Sequence, residues 1–219
     1  KIKNFLNKET LITDVGSTKQ NALKNVRKNL KNSAVWISSH PIAGSEVSGP
    51  EHGSAKLFLN RWCIIIKDKN VNNMKLKILK KFWKKLGSKV LIMDEKKHDI
   101  IFSMTSHLPH LIAYNLINTA SDFEKKKKYK LIQYSAGGLR DFSRIAASNE
   151  IMWRDIFFSN RSNLSNSIDL FIKNLKVLKK NIALRNNKII LKKLIEAKKV
   201  RKKIIQLKQD IDKPDFGRN

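Results

Sequence analysis

The chain has 219 residues, 41% of them hydrophobic, which suits one large or two small folded domains and argues against a disordered chain. Its 46 Lys and Arg against 18 Asp and Glu give a formal charge of +28. Such an excess raises nucleic acid or an anionic membrane as partners, but the lysines are spread among Asn and Ile along the whole length, as in compositional drift. A lone cysteine, Cys63, excludes an internal disulfide framework and suits a reducing, cytoplasmic setting. No Cys/His cluster has zinc spacing, apolar runs such as 63–66 are too short to span a membrane, and no signal-peptide pattern is seen.

In chain order, the β-branched run Thr10–Thr13 is predicted as a strand that ends at Asp14-Val15-Gly16-Ser17. Ala22, Leu23, Val26 and Leu30 recur at helical spacing. Residues 34–37 read as the next strand, which leads to His40-Pro41. Trp62–Ile66 reads as a strand buried on both faces, because its apolar character is continuous. Residues 74–86 form an amphipathic helix, with Leu76, Leu79, Phe82, Trp83 and Leu86 on one side and Gly87 ending it. Lys89–Met93 is the last strand. Alternating strands and helices imply a parallel or mixed sheet in an α/β layer.

After Asp94 the periodicity is helical. Ile168, Phe171, Ile172, Leu175, Leu178 and Ile182 make one apolar stripe, and Ile190, Leu194 and Ala197 continue on a later helix. The expected organisation is therefore α/β over 1–93 followed by all-α over 94–219. Long striped helices pack on each other or across a dimer interface. The lysine run 125–128 reads as a solvated helix end or loop.

Three clusters carry candidate chemistry. In an open α/β sheet ligands bind beyond the carboxyl ends of the strands, where Asp14, Gly16, Ser17 and His40 are expected. The spacing fits equally a strand-end histidine bonded to backbone. In "HDIIFSMTSHLPH", His107 and His110 share one helix face, and Pro109 implies a kink or a helix start. They read as hydrogen-bonding histidines more readily than as metal ligands, since no nearby carboxylate completes a set. In "SAGGLRDFSRIAASNEIMWRDI", Gly137-Gly138 reads as a flexible turn. Arg140, Asp141, Arg144 and Trp153 follow, and they suit either a grip on a carboxylate or a surface salt-bridge ladder. Together the clusters describe a site for an anionic organic substrate with acid–base chemistry on a hydroxyl.

The blocks "TDVGSTK", "HPIAGSEVSGPE", "HDIIFSMTSHLPHLIAYNL" and "GGLRDFSRIAASNEIMWRDIFFSNR" resemble, in order, the prephenate/arogenate dehydrogenases. The closing "AKKVRKKIIQLKQDIDKPDFGR" resembles the alphaproteobacterial cyclohexadienyl type. The resemblance implies a partial Rossmann-like, doubly wound domain over 1–93 and a helical substrate and dimerisation domain over 94–219, with the site between them. The implied reaction oxidises prephenate or arogenate with NAD or NADP, releasing carbon dioxide and giving 4-hydroxyphenylpyruvate or tyrosine. No metal is needed, because aromatisation drives the step.

The resemblance also implies residue roles. His40 would take the ring-hydroxyl proton, and Ser17 would lie beside that hydroxyl and the nicotinamide, with Asp14 and Gly16 at the cofactor. Arg144 would bind a substrate carboxylate, and Glu46 would act near the site entrance as its partner or gate. His110, Asp141 and Trp153 would line or support the pocket. A homodimer is implied, without membrane or nucleic-acid partners.

Leu139 and Ser143 depart mildly from the family pattern, where Phe and Thr are common. The larger departure is that no G-x-G-x-x-G occurs in the sequence. The resemblance implies that roughly the first βαβαβ half of the cofactor domain, on the order of 70 residues, is not in this sequence, as expected of a fragment of the full enzyme or of a shortened gene. A non-catalytic, dimerising remnant and a basic nucleic-acid-binding module are the alternative readings.

Overall fold

A computed structural model describes residues 6–7, 9–30, 36–44, 49–68, 71–207 and 209. The expected Glu46 and the tail beyond residue 209 lie outside these described residues, as do residues 34 and 35 of the expected second strand.

The described residues form a three-stranded sheet and eight α-helices: α1 Gln20–Asn29, β1 Ser39–Pro41, β2 Trp62–Ile66, α2 Asn73–Lys85, β3 Lys89–Met93, α3 Glu95–Phe102, α4 Leu108–Lys127, α5 Gly137–Ala146, α6 Glu150–Ser159, α7 Arg161–Ala183 and α8 Asn187–Gln206. The sheet order is β1-β2-β3, with β2 and β3 parallel and in register from Trp62↔Lys89 to Ile66↔Met93. β1 runs antiparallel to β2, pairing His40 with Ile64. Among the described residues no helix is long and apolar enough to cross a membrane.

β2 holds the core because its side chains alternate between two faces. Cys63 and Ile65 join Ile37, Leu76, Leu79 and Trp83 on the α2 side, while Ile64 and Ile66 join Leu23 and Phe102 on the side of α1 and α3. Each such aliphatic or aromatic side chain contributes about 1.5–3 kcal/mol by leaving water. Asn72 caps α2 by accepting from Met74 N and Lys75 N, and Gly87 stops the helix in the left-handed region at φ 87°. A Cβ on Gly87 would stand 2.8 Å from Leu59 Cδ1.

Three expectations change here. Residues 10–13 form no strand; Ile12 makes one parallel bridge to Trp36, and Ile37 N donates to Ile12 O. Phe82, 50% exposed, and Leu86 leave the buried face of α2, because Leu76, Leu79 and Trp83 alone turn onto the sheet, and Phe82 meets Trp83 edge-on. Gly137 and Gly138 open α5 and are no turn. Arg140 N donates to Ala136 O, and the helix they begin packs on α4, which outweighs the cost of about 1 kcal/mol per glycine.

α3 and α4 run on through a π-helical segment, Ser103–His107, and Pro109 falls in the first turn of α4. A π segment is a frequent mark of a functional site.

The chain divides into two compact units, Lys1–Ser165 and Asn166–Asn219. Within the second, the remainder of α7 turns at Arg185, φ 51°, into α8, whose N-terminus Asn186 caps at Ile189 N. Its apolar residues are largely exposed, including Leu175 at 53% and Ile182 at 65%.

Candidate active site

The loop after Thr13 is tied down by Asp14. Its carboxylate accepts from Lys19 Nζ at 2.7 Å, Ser38 Oγ at 2.5 Å and Gly16 N at 3.3 Å, and its carbonyl accepts from Ser39 Oγ at 2.7 Å. Lys19 is fully buried, and its Nζ also donates to Ser39 O. Burial lowers its proton affinity, while Asp14 opposes that shift. These bonds lock Gly16 and Ser17 against β1.

His40 sits within β1, not at the tip of a strand whose parallel neighbours end beside it. It is 8% exposed, and its ring lies beside His98 and Phe102, with centroids 5.0 and 4.9 Å away. Its Nδ1 is 2.8 Å from His98 Nε2. Burial first, then the neighbouring His98, Lys19 and His107, push its pKa down to about 2, so it is neutral at physiological pH. That neutrality comes chiefly from desolvation, ahead of the neighbouring charges.

A buried polar network extends from there. His98 Nδ1 lies 2.8 Å from Asp99 Oδ1. Asp99 also accepts from Lys19 N and Gln20 N, both at 2.9 Å, at the start of α1. Burial works to raise the Asp99 pKa, but His98 and these amides outweigh it and hold the carboxyl below its ordinary value. Asn160 Nδ2 donates to Asp99 O at 2.8 Å and to His107 Nδ1 at 3.1 Å. Among the described residues His107 Nε2 is buried without a hydrogen bond of ordinary geometry, and burial, only partly opposed by Asp99 and the Ser17 backbone, brings the His107 pKa down to about 4.

His110 is half-buried on α4. Its Nδ1 donates to Ser106 O at 2.9 Å, and its ring stacks on Trp153 of α6. Asp141 and Arg144 lie exposed on α5, the helix packed against α4. Thr18 and Ser159 join the loop to the end of α6 through their hydroxyls at 2.9 Å. Between them lies a crevice of about 700 Å³ lined by Val15, Gly16, Ser17, Thr18, Met152, Ile156, Phe158 and Ser159, among others.

The structure thus gathers Asp14, Gly16, Ser17 and His40 around β1, and pairs His110 with Trp153. Sequence reasoning missed His98, Asp99, Asn160 and Lys19. The legible signal was His98 four residues before Phe102, a polar group on the apolar face of α3.

A family model described as the prephenate dehydrogenase nucleotide-binding domain matches residues 1–92, and one for the prephenate dehydrogenase dimerization domain matches 94–214. The fold and site therefore define an NAD(P)-dependent dehydrogenase with a small nucleotide-binding sheet and a helical part. A cyclohexadienyl dehydrogenase of Zymomonas mobilis is 37% identical over 207 residues, covering 94% of this chain and 69% of that protein. A prephenate dehydrogenase of Bacillus subtilis is 34% identical over 166 residues, 75% of this chain and 44% of that one. A crystal structure of prephenate dehydrogenase from A. aeolicus in complex with hydroxyphenyl propionate and NAD+ superimposes with a TM-score of 0.87 at 33% identity, over 93% of this chain and 70% of that one. The chain belongs to the prephenate dehydrogenase family.

Proposed function

We propose that the protein catalyses the oxidative decarboxylation of prephenate, arogenate or both with NAD or NADP, in tyrosine biosynthesis in the cytoplasm. The observation that carries this reading is His40: a buried, neutral imidazole whose Nδ1 is bonded to His98, leaving Nε2 for a substrate hydroxyl. Family membership supports the same chemistry.

His40 Nε2 accepts the ring-hydroxyl proton as the hydrogen on the same carbon leaves as hydride. The ring carboxylate departs as carbon dioxide, its electron pair enters the ring, and the proton returns from His40 to the phenolate oxygen. NAD or NADP, when bound, supplies the carbon that takes the hydride. The residues present suit the nicotinamide end of that cofactor. Gly16 keeps the loop low, since a Cβ there would stand 3.2 Å from Asp14 Oδ2, and the crevice beside Ser17 combines apolar walls and hydroxyls with the amide of Asn21 and the charged Asp155 and Arg161. Asp14 acts on the cofactor through the loop it holds, and Ser17 offers its hydroxyl to the reacting oxygen.

Arg144 binds a substrate carboxylate, Asp141 orients it, and Glu46 gates the site. His110 and Trp153 form one wall. Residues 1–93 serve as the later half of the nucleotide-binding domain and 94–219 as the helical substrate and dimerisation domain. The matched family models and the exposed apolar residues of α7 and α8 support a homodimer through that helical part.

Steady-state turnover of prephenate and arogenate, each with NAD and NADP, tests the reading. Formation of reduced nicotinamide with stoichiometric carbon dioxide is expected from at least one pair. Tight prephenate binding with no turnover by any pair would overturn it.

A further inference from the structure

We propose that Asp99 and His98 are the positioning residues that hold His40 in the one tautomer able to act as a base at Nε2. The inference rests on the reading of His40 given above.

The proton inventory follows from chemistry at the far end of the network. Asp99 is ionised and can only accept, and four donors converge on it: Lys19 N, Gln20 N, Gln20 Nε2 and His98 Nδ1. His98 therefore carries its proton on Nδ1 and presents a bare Nε2. At 2.8 Å from that nitrogen, His40 Nδ1 must be the donor. His40 is then protonated on Nδ1 and bare on Nε2. Isolated neutral imidazole has both tautomers open to it, so without the chain of bonds the proton would be free to sit on the nitrogen meant for the substrate.

The same arrangement handles the transferred proton. When His40 gains a proton at Nε2, its Nδ1 proton can shift to His98 Nε2, and the resulting cation lies against Asp99. No atom beyond the two rings and the carboxylate moves. The other charged or titratable groups facing the pair are Lys19 and its partner Asp14, His107 from the π segment, and Cys63 on β2. Lys19 and His107 disfavour a cation at His40, whereas at His98 Asp99 is the leading group that favours one and Asp14 adds to it.

Asp99 has a second attachment. Its bonds to the Lys19 and Gln20 amides hold the start of α1, two residues beyond Ser17. One carboxylate therefore fixes both the base and the loop that carries the hydroxyl.

The chain has five histidines, which makes ring-nitrogen NMR on ¹⁵N-histidine protein tractable. His40 and His98 are expected as Nδ1–H tautomers and His107 as Nε2–H. Asp99→Asn should release the His98 and His40 assignments and lower kcat on the order of 100-fold with KM within about threefold. A merely structural aspartate would leave the His40 tautomer where it is in the wild type. Where Asp99→Asn does not fold, His98→Gln and His98→Leu decide. Gln retains an acceptor for His40 Nδ1–H and keeps the tautomer, and Leu loses it. An Nε2–H tautomer at His40 in the wild type, or an unchanged His40 spectrum in both Asp99→Asn and His98→Leu, would overturn the proposal. Predicted tautomers in a protein that turns over no prephenate would uphold the arrangement and sink the functional reading instead.

Discussion

His110 of α4 lies flat on Trp153 of α6, with ring centroids 3.7 Å apart and planes 20° from parallel. The stack joins two helices that the sequence separates by a loop and a further helix. Trp153 is buried and also meets His107 edge-on. Trp153→Ala should cost about 3–5 kcal/mol of stability, as large-to-small changes of a buried aromatic do. Trp153→Phe should keep the stack and most of that stability. Urea unfolding of both variants checks the difference.

Stability should fall on mild acidification. His40, His98, His107 and His110 all have folded-state pKa values below the ordinary histidine value, with burial the leading cause. The unfolded chain therefore binds more protons, so stability is full above about pH 6.5 and is lost as pH drops below it. For His107, lowered to about 4, and His40, lowered to about 2, the loss at pH 5 is about 2 kcal/mol each. Urea midpoints at pH 7.5 and 5 should show the decline, and His107→Gln should reduce it.

Leu79→Ala should destabilise by about 2–5 kcal/mol, because Leu79 is 2% exposed between α2 and the Cys63–Ile65 face of β2. Phe82→Ala, one helical step short of Trp83, should cost far less. Gly87→Ala should cost about 1–3 kcal/mol through its φ of 87° and the clash with Leu59.

Arg144→Ala should raise the KM for prephenate on the order of 10- to 100-fold with a smaller effect on kcat. The charged hydrogen bonds it removes are worth about 1.5–3 kcal/mol and act on bound substrate as much as on the transition state. Arg144→Lys should recover only part of the loss, since an ammonium lacks the planar fork.

β2, β3, α1 and α2 were legible because their periods and stop signals are local: a continuous apolar run, a Gly after the last helical turn, a 3.6-residue stripe. β1 was read too early, over 34–37 where the structure has Ser39–Pro41, and without a direction of pairing, since the pairing of a three-residue strand is decided by tertiary contacts. His40, Ser17 and Arg144 stood out through motif resemblance. His98 and Asp99 did not, because polar side chains on a helix read as solvated until the fold turns them inward onto another polar group. The two glycines of α5 show the same limit: local propensity favours a turn, and packing on α4 overrides it.

The most direct test of the account is the turnover of His40→Asn, with prephenate and whichever nicotinamide cofactor the wild type uses. Loss of a positioned base predicts a fall in kcat on the order of 10²–10⁴-fold, with prephenate affinity changed only severalfold. Retention of wild-type kcat within about tenfold would contradict the assignment of His40 as the base, and with it the mechanism built on that residue.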